Sequence, residues 1–187
     1  MSKIFICSDW HFNHNKDFLY EPRGFSSIEE MNQELIKRHN KIVNKNDIVY
    51  VLGDLCLGGE ESLEKNKQLI ESMNGKLYIA IGNHCTNKRI EMYKTLKNVE
   101  AVDYGFRLNY KKMTFWLTHY PTIVANYDDK PNYNIHGHTH DVNHFHKEWP
   151  HCFDVSPEAN NCYPIDLDDV IFLIKKFNNE TKGEILC

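Results

Sequence analysis

The sequence has no apolar segment long enough to cross a membrane. Its longest unbroken apolar runs are five residues, among them Ile48–Leu52 and Val170–Ile174, whereas a membrane span needs about 20. The N-terminal region has only four consecutive apolar residues, at 4–7, before Ser8, and a secretory signal needs roughly 7–15. We therefore expect a cytoplasmic protein without a membrane partner.

The sequence also lacks an excess of basic residues. The formal net charge is -4 over 187 residues, so a broad nucleic-acid-binding surface is not expected, although a local basic groove is compatible with this charge. The six cysteines form no C-x-x-C pair, which gives no support to a zinc ribbon or a thioredoxin-type motif. Without an export signal, we expect these thiols to be reduced.

Histidine, in contrast, is abundant. The chain has 11 histidines, and seven of them lie between residues 119 and 151. Histidine is the commonest metal ligand, so this enrichment indicates metal binding first. The apolar content of 41% and charged content of 26% are those of an ordinary globular protein. The length matches a single domain over residues 1–187.

The first half of the chain alternates strands with helices. Strands are predicted at residues 3–7, 47–52 and 76–81, and helices at 26–43, 60–73 and 87–97. Ser27, followed three residues later by Glu30, is typical of a helix N-cap. This alternation favours parallel strands joined by right-handed crossovers.

The second half has a different pattern, with short apolar segments and turns between them. Strands are predicted at 99–104, 106–110, 114–119, 133–136 and 152–155, and a closing helix at 166–177. The short spacing predicts a mostly antiparallel second sheet, and Asp166 is expected to cap the closing helix. The stretches at 12–25, 120–132 and 141–151 are long enough to be functional loops.

Residues that commonly bind metals follow five of the predicted strands. They are Asp9, His11, Asp54, Asn83, His119, His138 and His140. In open α/β sheets, ligands bind beyond the carboxyl ends of the strands, so these side chains predict one convergent metal site. Asp9 and His11 are expected to share a face because residues two apart in an extended chain point the same way. Seven ligands are too many for one ion, which predicts two ions that share a carboxylate.

In chain order, the ligand motifs are D-x-H, G-D, G-N-H, a single His and G-H-x-H. Together they resemble the signature of the calcineurin-like metallophosphoesterase family. The signature covers residues 9–140. The segments Ser8–Asn15 and Arg23–Phe25 also resemble a subgroup of small bacterial and phage members. The resemblance implies an α/β fold, a four-layer α/β/β/α sandwich with two mixed β-sheets flanked by helices. Its metal site lies at the C-terminal ends of the strands.

The resemblance also assigns roles to the candidate residues. One metal ion would be bound by Asp9, His11, Asp54 and His140, and the other by Asp54, Asn83, His119 and His138. Asp54 would bridge the two ions, and His84 would be the catalytic histidine beside the leaving group. The family usually has an acidic residue after G-N-H, whereas this chain has Cys85. The orientation of His84 is therefore open at this point.

Oxygen and imidazole ligands without thiolate suit manganese, iron or zinc. Two such divalent ions about 3.5–4 Å apart can share a water and lower its pKa toward 7. The expected function is hydrolysis of phosphate esters by a metal-bridging hydroxide, with a small phosphate ester or a nucleotide as substrate. Phosphodiesters are favoured over phosphomonoesters because the chain is too short for a separate cap domain, which leaves the site open.

His14 and Arg23 are candidate substrate contacts in the loop that follows the first two ligands. A guanidinium group can bind a phosphate through two hydrogen bonds, and the alternative for both residues is a solvated loop. Two other functions stay open. A metal-dependent nuclease would need a basic groove, which the charge balance does not favour, and a non-catalytic scaffold on the same fold would not need the complete ligand set.

Overall fold

The computed structural model describes residues 2–124, 131–146 and 148–184. The strands are β1 (Ile4–Cys7), β2 (Ile48–Leu52), β3 (Lys76–Ala80), β4 (Val99–Asp103), β5 (Gly105–Tyr110), β6 (Met113–Thr118), β7 (Asn132–His136), β8 (Cys152–Asp154) and β9 (Ile165–Asp166). The helices are α1 (Asp17–Tyr20), α2 (Ile28–Ile42), α3 (Leu63–Glu71), α4 (Asn87–Lys94) and α5 (Leu167–Glu184). Part of the predicted loop 120–132 lies outside the described residues.

The first sheet has the strand order β4-β3-β2-β1-β9. Strands β1 to β4 pair in parallel, each through a helical crossover, as the alternating pattern predicts. Helix α2 begins directly after Ser27, whose side chain accepts a hydrogen bond from the Glu30 backbone N–H at 3.2 Å. The predicted N-cap is therefore present, and it fixes where the chain leaves the first loop and enters the helix.

Two strands of this sheet differ from the prediction. The segment 99–103 was expected in the second sheet, but β4 pairs in parallel with β3 because α4 returns the chain to the same end of the first sheet. Strand β9 was not predicted, and it pairs antiparallel with β1 at the sheet edge. Asp166 is the last residue of β9, and its carboxylate accepts the Asp168 N–H at 3.0 Å, which is the predicted cap of α5.

The second sheet has the order β5-β6-β7-β8. Only β5 and β6 are antiparallel, whereas β6–β7 and β7–β8 are parallel. The prediction of a mostly antiparallel sheet is therefore wrong. The segments 119–131 and 137–151 are crossover connections of the length that parallel pairing needs. As a consequence, β6 and β7 end at the same edge of the sheet.

The two sheets are flanked by helices and share one of two apolar cores. Side chains on one face of the first sheet, including Phe5, Val49 and Leu77, pack with those of helices α2 to α4. The other core joins the sheets to the apolar side of α5 and includes Leu52 and Phe115. The predicted α/β fold with two mixed sheets flanked by helices is confirmed. In the described part of the chain, no helix has the length and apolar character that a membrane span requires.

His39 is a buried titratable group that lies away from the strand ends. Its Nε2–H donates to the Asn74 carbonyl at 2.7 Å, and its ring packs edge-on against Trp10. Burial lowers the pKa of His39 from 6.5 to about 4. Between pH 4 and 6.5, His39 binds a proton in the unfolded chain but not in the folded protein. We therefore expect the free energy of unfolding to fall by about 3 kcal/mol in total as the pH decreases from 6.5 to 4.

Denaturant unfolding of the metal-free protein between about pH 4.5 and 7.5 measures this loss. His39→Gln keeps an amide donor for Asn74 but does not titrate, so its stability should depend less steeply on pH than that of the wild type. His151→Gln, at an exposed histidine, is the matched control. Equal slopes for the wild type and His39→Gln would contradict the expected role of His39.

Candidate metal centre

The polar residues that follow the strands converge at one edge of the molecule. The Asp9 backbone N–H donates to the Gly53 carbonyl at 3.1 Å, and the His11 N–H donates to the Asp54 carbonyl at 3.0 Å. These bonds continue the parallel pairing of β1 and β2 beyond the strands. They hold the first two predicted ligands beside the third.

The backbone at this edge is strained at five of the seven predicted ligands. Positive φ angles occur at Asp9 (49°), His11 (54°), Asp54 (45°), His138 (70°) and His140 (51°). Residues other than glycine rarely adopt this left-handed region, and such residues concentrate at functional sites.

Asp9, His11 and His140 form a compact group of three potential metal ligands. The Nε2 atoms of His11 and His140 lie 3.2 Å apart, and each lies 3.7 Å from Asp9 Oδ1. A point equidistant from the three atoms lies about 2 Å from each, which is a normal metal–nitrogen or metal–oxygen bond length. The three atoms are therefore already spaced to bind one ion.

A second group consists of Asp9, Asp54 and His119. His119 Nδ1–H donates to the Leu52 carbonyl at 2.9 Å, so its Nε2 is free to bind a metal. This Nε2 lies 3.4 Å from Asp54 Oδ2 and 2.7 Å from the Asn83 side-chain oxygen. Asp9 belongs to both groups, whereas Asp54 belongs to one. The role of Asp54 as the bridge stays a prediction.

His138 is near these groups but is not part of either. Its backbone N–H donates to Asp9 Oδ2 at 2.8 Å, and its exposed ring contacts His119 with 4.9 Å between centroids. A Cβ on the preceding Gly137 would collide with the Asp9 carboxylate, so this position needs glycine. The Thr139 hydroxyl donates to Asp154 on β8, which ties the loop of His138 and His140 to the second sheet.

The predicted catalytic residue, His84, lies at the mouth of the site. Its side chain is 45% exposed, and its Nε2 lies 4.0 Å from Asp54 Oδ2. Its backbone N–H donates to the other oxygen of Asp54 at 3.0 Å. The His14 ring contacts the rings of both His11 and His84, and burial lowers the pKa of His14 to about 4. Substrate contact by His14 stays a prediction.

Arg23 is not a solvated loop residue. Its side chain is 1% exposed, and its donors are occupied by protein groups: the Glu158 carboxylate and the backbone carbonyls of Asp9 and Trp10. Glu158 was not among the predicted site residues. It lies in the 3₁₀ turn Pro157–Asn160, and its Oε1 is 3.2 Å from Nδ1 of His140. The guanidinium faces the protein in this arrangement, and a phosphate contact by Arg23 stays a prediction.

The electrostatics of the site favour ionised carboxylates. Burial raises the pKa of Asp9, but the neighbouring imidazoles of His11, His119 and His140 outweigh it and hold the value at about 2. Burial also raises the pKa of Glu158, but the neighbouring His140 and Arg23 outweigh burial and lower this pKa to about 2. Burial lowers the pKa of His140, but Glu158 and Asp9 together raise it. The site therefore carries buried negative charge.

The residues present suit a divalent cation. Asp9 Oδ1 is buried without a hydrogen-bond partner among the described residues, and it is the atom that faces Nε2 of both His11 and His140. A buried carboxylate oxygen without a donor is costly unless a cation compensates it. The ligand atoms are carboxylate oxygen, amide oxygen and imidazole nitrogen, which manganese, iron and zinc accept.

Similarity to other proteins identifies the family of the chain. Residues 2–173 match the sequence model of the calcineurin-like phosphoesterase family. The chain belongs to the calcineurin-like phosphoesterase family. It is 36% identical over 184 residues to an uncharacterized protein of Methanocaldococcus jannaschii, covering 94% of this chain and 93% of that protein.

Other similarities are more partial or concern the fold alone. A symmetrical bis(5'-nucleosyl)-tetraphosphatase of Mannheimia succiniciproducens is 30% identical over 83 residues, which is 43% of this chain and 30% of that enzyme. A protein of unknown function from Aquifex aeolicus has the same fold, with a TM-score of 0.70 and 20% identity. The structural alignment covers 93% of this chain and 100% of the Aquifex chain. The Aquifex structure therefore supports the fold, and the tetraphosphatase is a partial sequence match.

Proposed function

We propose that the protein is a two-metal phosphoesterase that prefers phosphodiesters to phosphomonoesters. The observation that carries the proposal is the group of Asp9, His11 and His140, whose ligand atoms are 3.2–3.7 Å apart and surround one potential ion position. Asp54, Asn83, His119 and His138 would hold the second ion. Manganese, iron or zinc is proposed for both positions.

When bound, the ions would neutralise the phosphoryl oxygens and acidify a water molecule to make the nucleophile. The protein residues have separate roles. Asp9 and Asp54 are the negative charges that hold the cations, and His119 is fixed by Leu52 with Nε2 toward them. His84, at the mouth of the site, would donate a proton to the departing oxygen of the ester.

Accessibility of the site supports the preference for diesters. The side chains of His84 and His140 are 45% and 33% exposed. A diester carries a substituent on each side of the phosphorus, so it needs an open approach that a monoester does not. The proposed substrates are small phosphate esters or nucleotides, in the cytoplasm. Partial similarity to a bis(5'-nucleosyl)-tetraphosphatase adds a dinucleoside tetraphosphate to the compounds worth testing.

Hydrolysis assays with added manganese test the proposal. The substrates are bis-nitrophenyl phosphate, nitrophenyl phosphate, cyclic nucleotides, a dinucleoside tetraphosphate, and single- and double-stranded DNA. We expect metal-dependent hydrolysis with a higher kcat/KM for the diester than for the monoester. Monoester hydrolysis alone would contradict the diester preference. Salt-sensitive DNA cleavage would favour the nuclease function. Absence of bound metal together with absence of hydrolysis would favour the scaffold.

A further inference from the structure

The Arg23 guanidinium connects two parts of the site that are distant in sequence. Its Nη2 donates to the Asp9 carbonyl at 3.0 Å, and its Nη1 donates to the Trp10 carbonyl at 3.2 Å. Both carbonyls belong to the turn in which Asp9 and His11 have positive φ. On its other side, Nε donates to Glu158 Oε1 at 2.8 Å, and Nη2 lies 2.8 Å from the same oxygen.

Glu158 in turn contacts a potential metal ligand. Its Oε1 lies 3.2 Å from His140 Nδ1, and Arg23 Nη2 lies 3.4 Å from the same nitrogen. The Arg23 guanidinium only donates and would favour an unprotonated Nδ1, whereas the Glu158 carboxylate only accepts and needs a proton there. Glu158 is the closer of the two and is negatively charged, so it favours a proton on Nδ1. The other nitrogen, Nε2, then has a free lone pair, and it faces His11 Nε2 and Asp9 Oδ1. This is the arrangement in which a carboxylate orients a metal-binding histidine.

We propose that Glu158 and Arg23 are positioning residues for one of the two metal sites. Glu158 fixes the ring and the protonated nitrogen of His140, while Arg23 fixes Glu158 and the turn that carries Asp9 and His11. All three ligands of the first group are therefore aligned by one ion pair, whose Arg23 side chain is buried. The proposal rests on the proposed metal-dependent function, and it assigns to Arg23 a role different from phosphate binding.

The two roles of Arg23 lead to opposite results for Arg23→Lys. A lysine has a single charged nitrogen and cannot reach Glu158 and two carbonyls in the planar arrangement of a guanidinium. If Arg23 positions ligands, metal affinity falls while KM at saturating metal stays close to that of the wild type. If Arg23 binds the phosphate, metal affinity is unchanged and KM rises.

The experiment is a titration of metal-free protein with Mn²⁺, with free Mn²⁺ measured by electron paramagnetic resonance. We expect the wild type to bind two ions. In Glu158→Gln, which keeps the size of the side chain and removes its charge, we expect one of the two ions to bind about 10–100-fold more weakly. Glu34→Gln is the matched control, since Glu34 pairs with Lys37 and Arg38 on the surface of α2. Its metal affinity should equal that of the wild type.

The double variant Arg23→Lys/Glu158→Gln tests whether the pair acts as a unit. We expect its loss of affinity to be smaller than the product of the two single losses, because both changes disrupt the same contact. Thermal unfolding of the metal-free variants identifies any that fail to fold, and Glu158→Gln alone is sufficient if Arg23→Lys does not fold.

Each further outcome has a distinct meaning. Wild-type affinity at both sites in a folded Glu158→Gln variant would overturn the positioning role but leave the proposed phosphoesterase function intact. Equal weakening of both sites would overturn the assignment to one site, because the pair would then act through Asp9, which belongs to both groups. Absence of any bound Mn²⁺ in the wild type would contradict the proposed function itself.

Discussion

Asp54→Asn is expected to remove bound metal and to reduce kcat/KM by roughly 10³-fold. The Asp54 side chain is 2% exposed, and its two oxygens face the His84 backbone N–H and His119 Nε2. Asparagine keeps this shape but removes the negative charge next to both proposed ions. Metal ions contribute several kcal/mol to stabilising a phosphoryl transition state, and each 1.4 kcal/mol corresponds to a factor of ten in rate. Elemental analysis and diester hydrolysis measure the two losses.

Two further variants make this test specific. Asp103→Asn removes an exposed carboxylate at the end of β4, in the same sheet, and should leave metal content and activity unchanged. The variant Asp9→Asn tests which carboxylate is shared, since Asp9 is a member of both ligand groups. If Asp54→Asn retained two ions while Asp9→Asn lost both, Asp9 and not Asp54 would be the bridge.

The local elements of the fold could be predicted because their signals are local. Ser27 and Glu30 define the start of α2, and the continuous apolar run Ile48–Leu52 defines a buried central strand. The pairing direction in the second sheet could not be predicted in this way. Apolar segments such as Met113–Thr118 have the same pattern in parallel and antiparallel sheets. The direction depends on the crossovers that follow, and these crossovers also bring His119 and His138 to one edge.

The candidate site was predictable to a similar extent. The ligand motifs follow strand ends, so their convergence follows from the topology of an α/β sheet. Glu158 has no comparable signal, because it is a single acidic residue in a 3₁₀ turn far from the motifs in sequence. A metal-binding histidine usually donates its other ring N–H to a carboxylate, a backbone carbonyl or a water, which predicts that some acceptor contacts His140. Sequence alone cannot choose Glu158 over Asp141 or Asp154, which are closer to His140 in the chain.

His84→Ala is expected to slow hydrolysis of an alkyl ester by about 10²–10⁴-fold and of a nitrophenyl ester much less. An alkoxide is a poor leaving group that needs a proton, whereas a nitrophenolate leaves with little assistance. Metal content should be nearly unchanged, because His84 belongs to neither ligand group. Its imidazole Nε2 lies 4.0 Å from Asp54 Oδ2. The measurement is kcat/KM for a matched pair of alkyl and nitrophenyl diesters, with metal content determined for the same samples.

Cys85, which replaces the usual acid of the family, sets a condition on this result. Its Sγ accepts the Gly82 N–H at 3.3 Å, so the thiol closes the loop and does not orient the His84 ring. The Arg89 guanidinium holds the same loop through the His84 carbonyl. Among the described residues, the carboxylate within 4.0 Å of the ring is that of Asp54. Cys85→Asp is expected to raise the alkyl-ester rate only if the new acid reaches the imidazole. Equal losses on both esters in His84→Ala would mean that His84 acts by electrostatics or positioning, because a proton donor must matter more for the poorer leaving group.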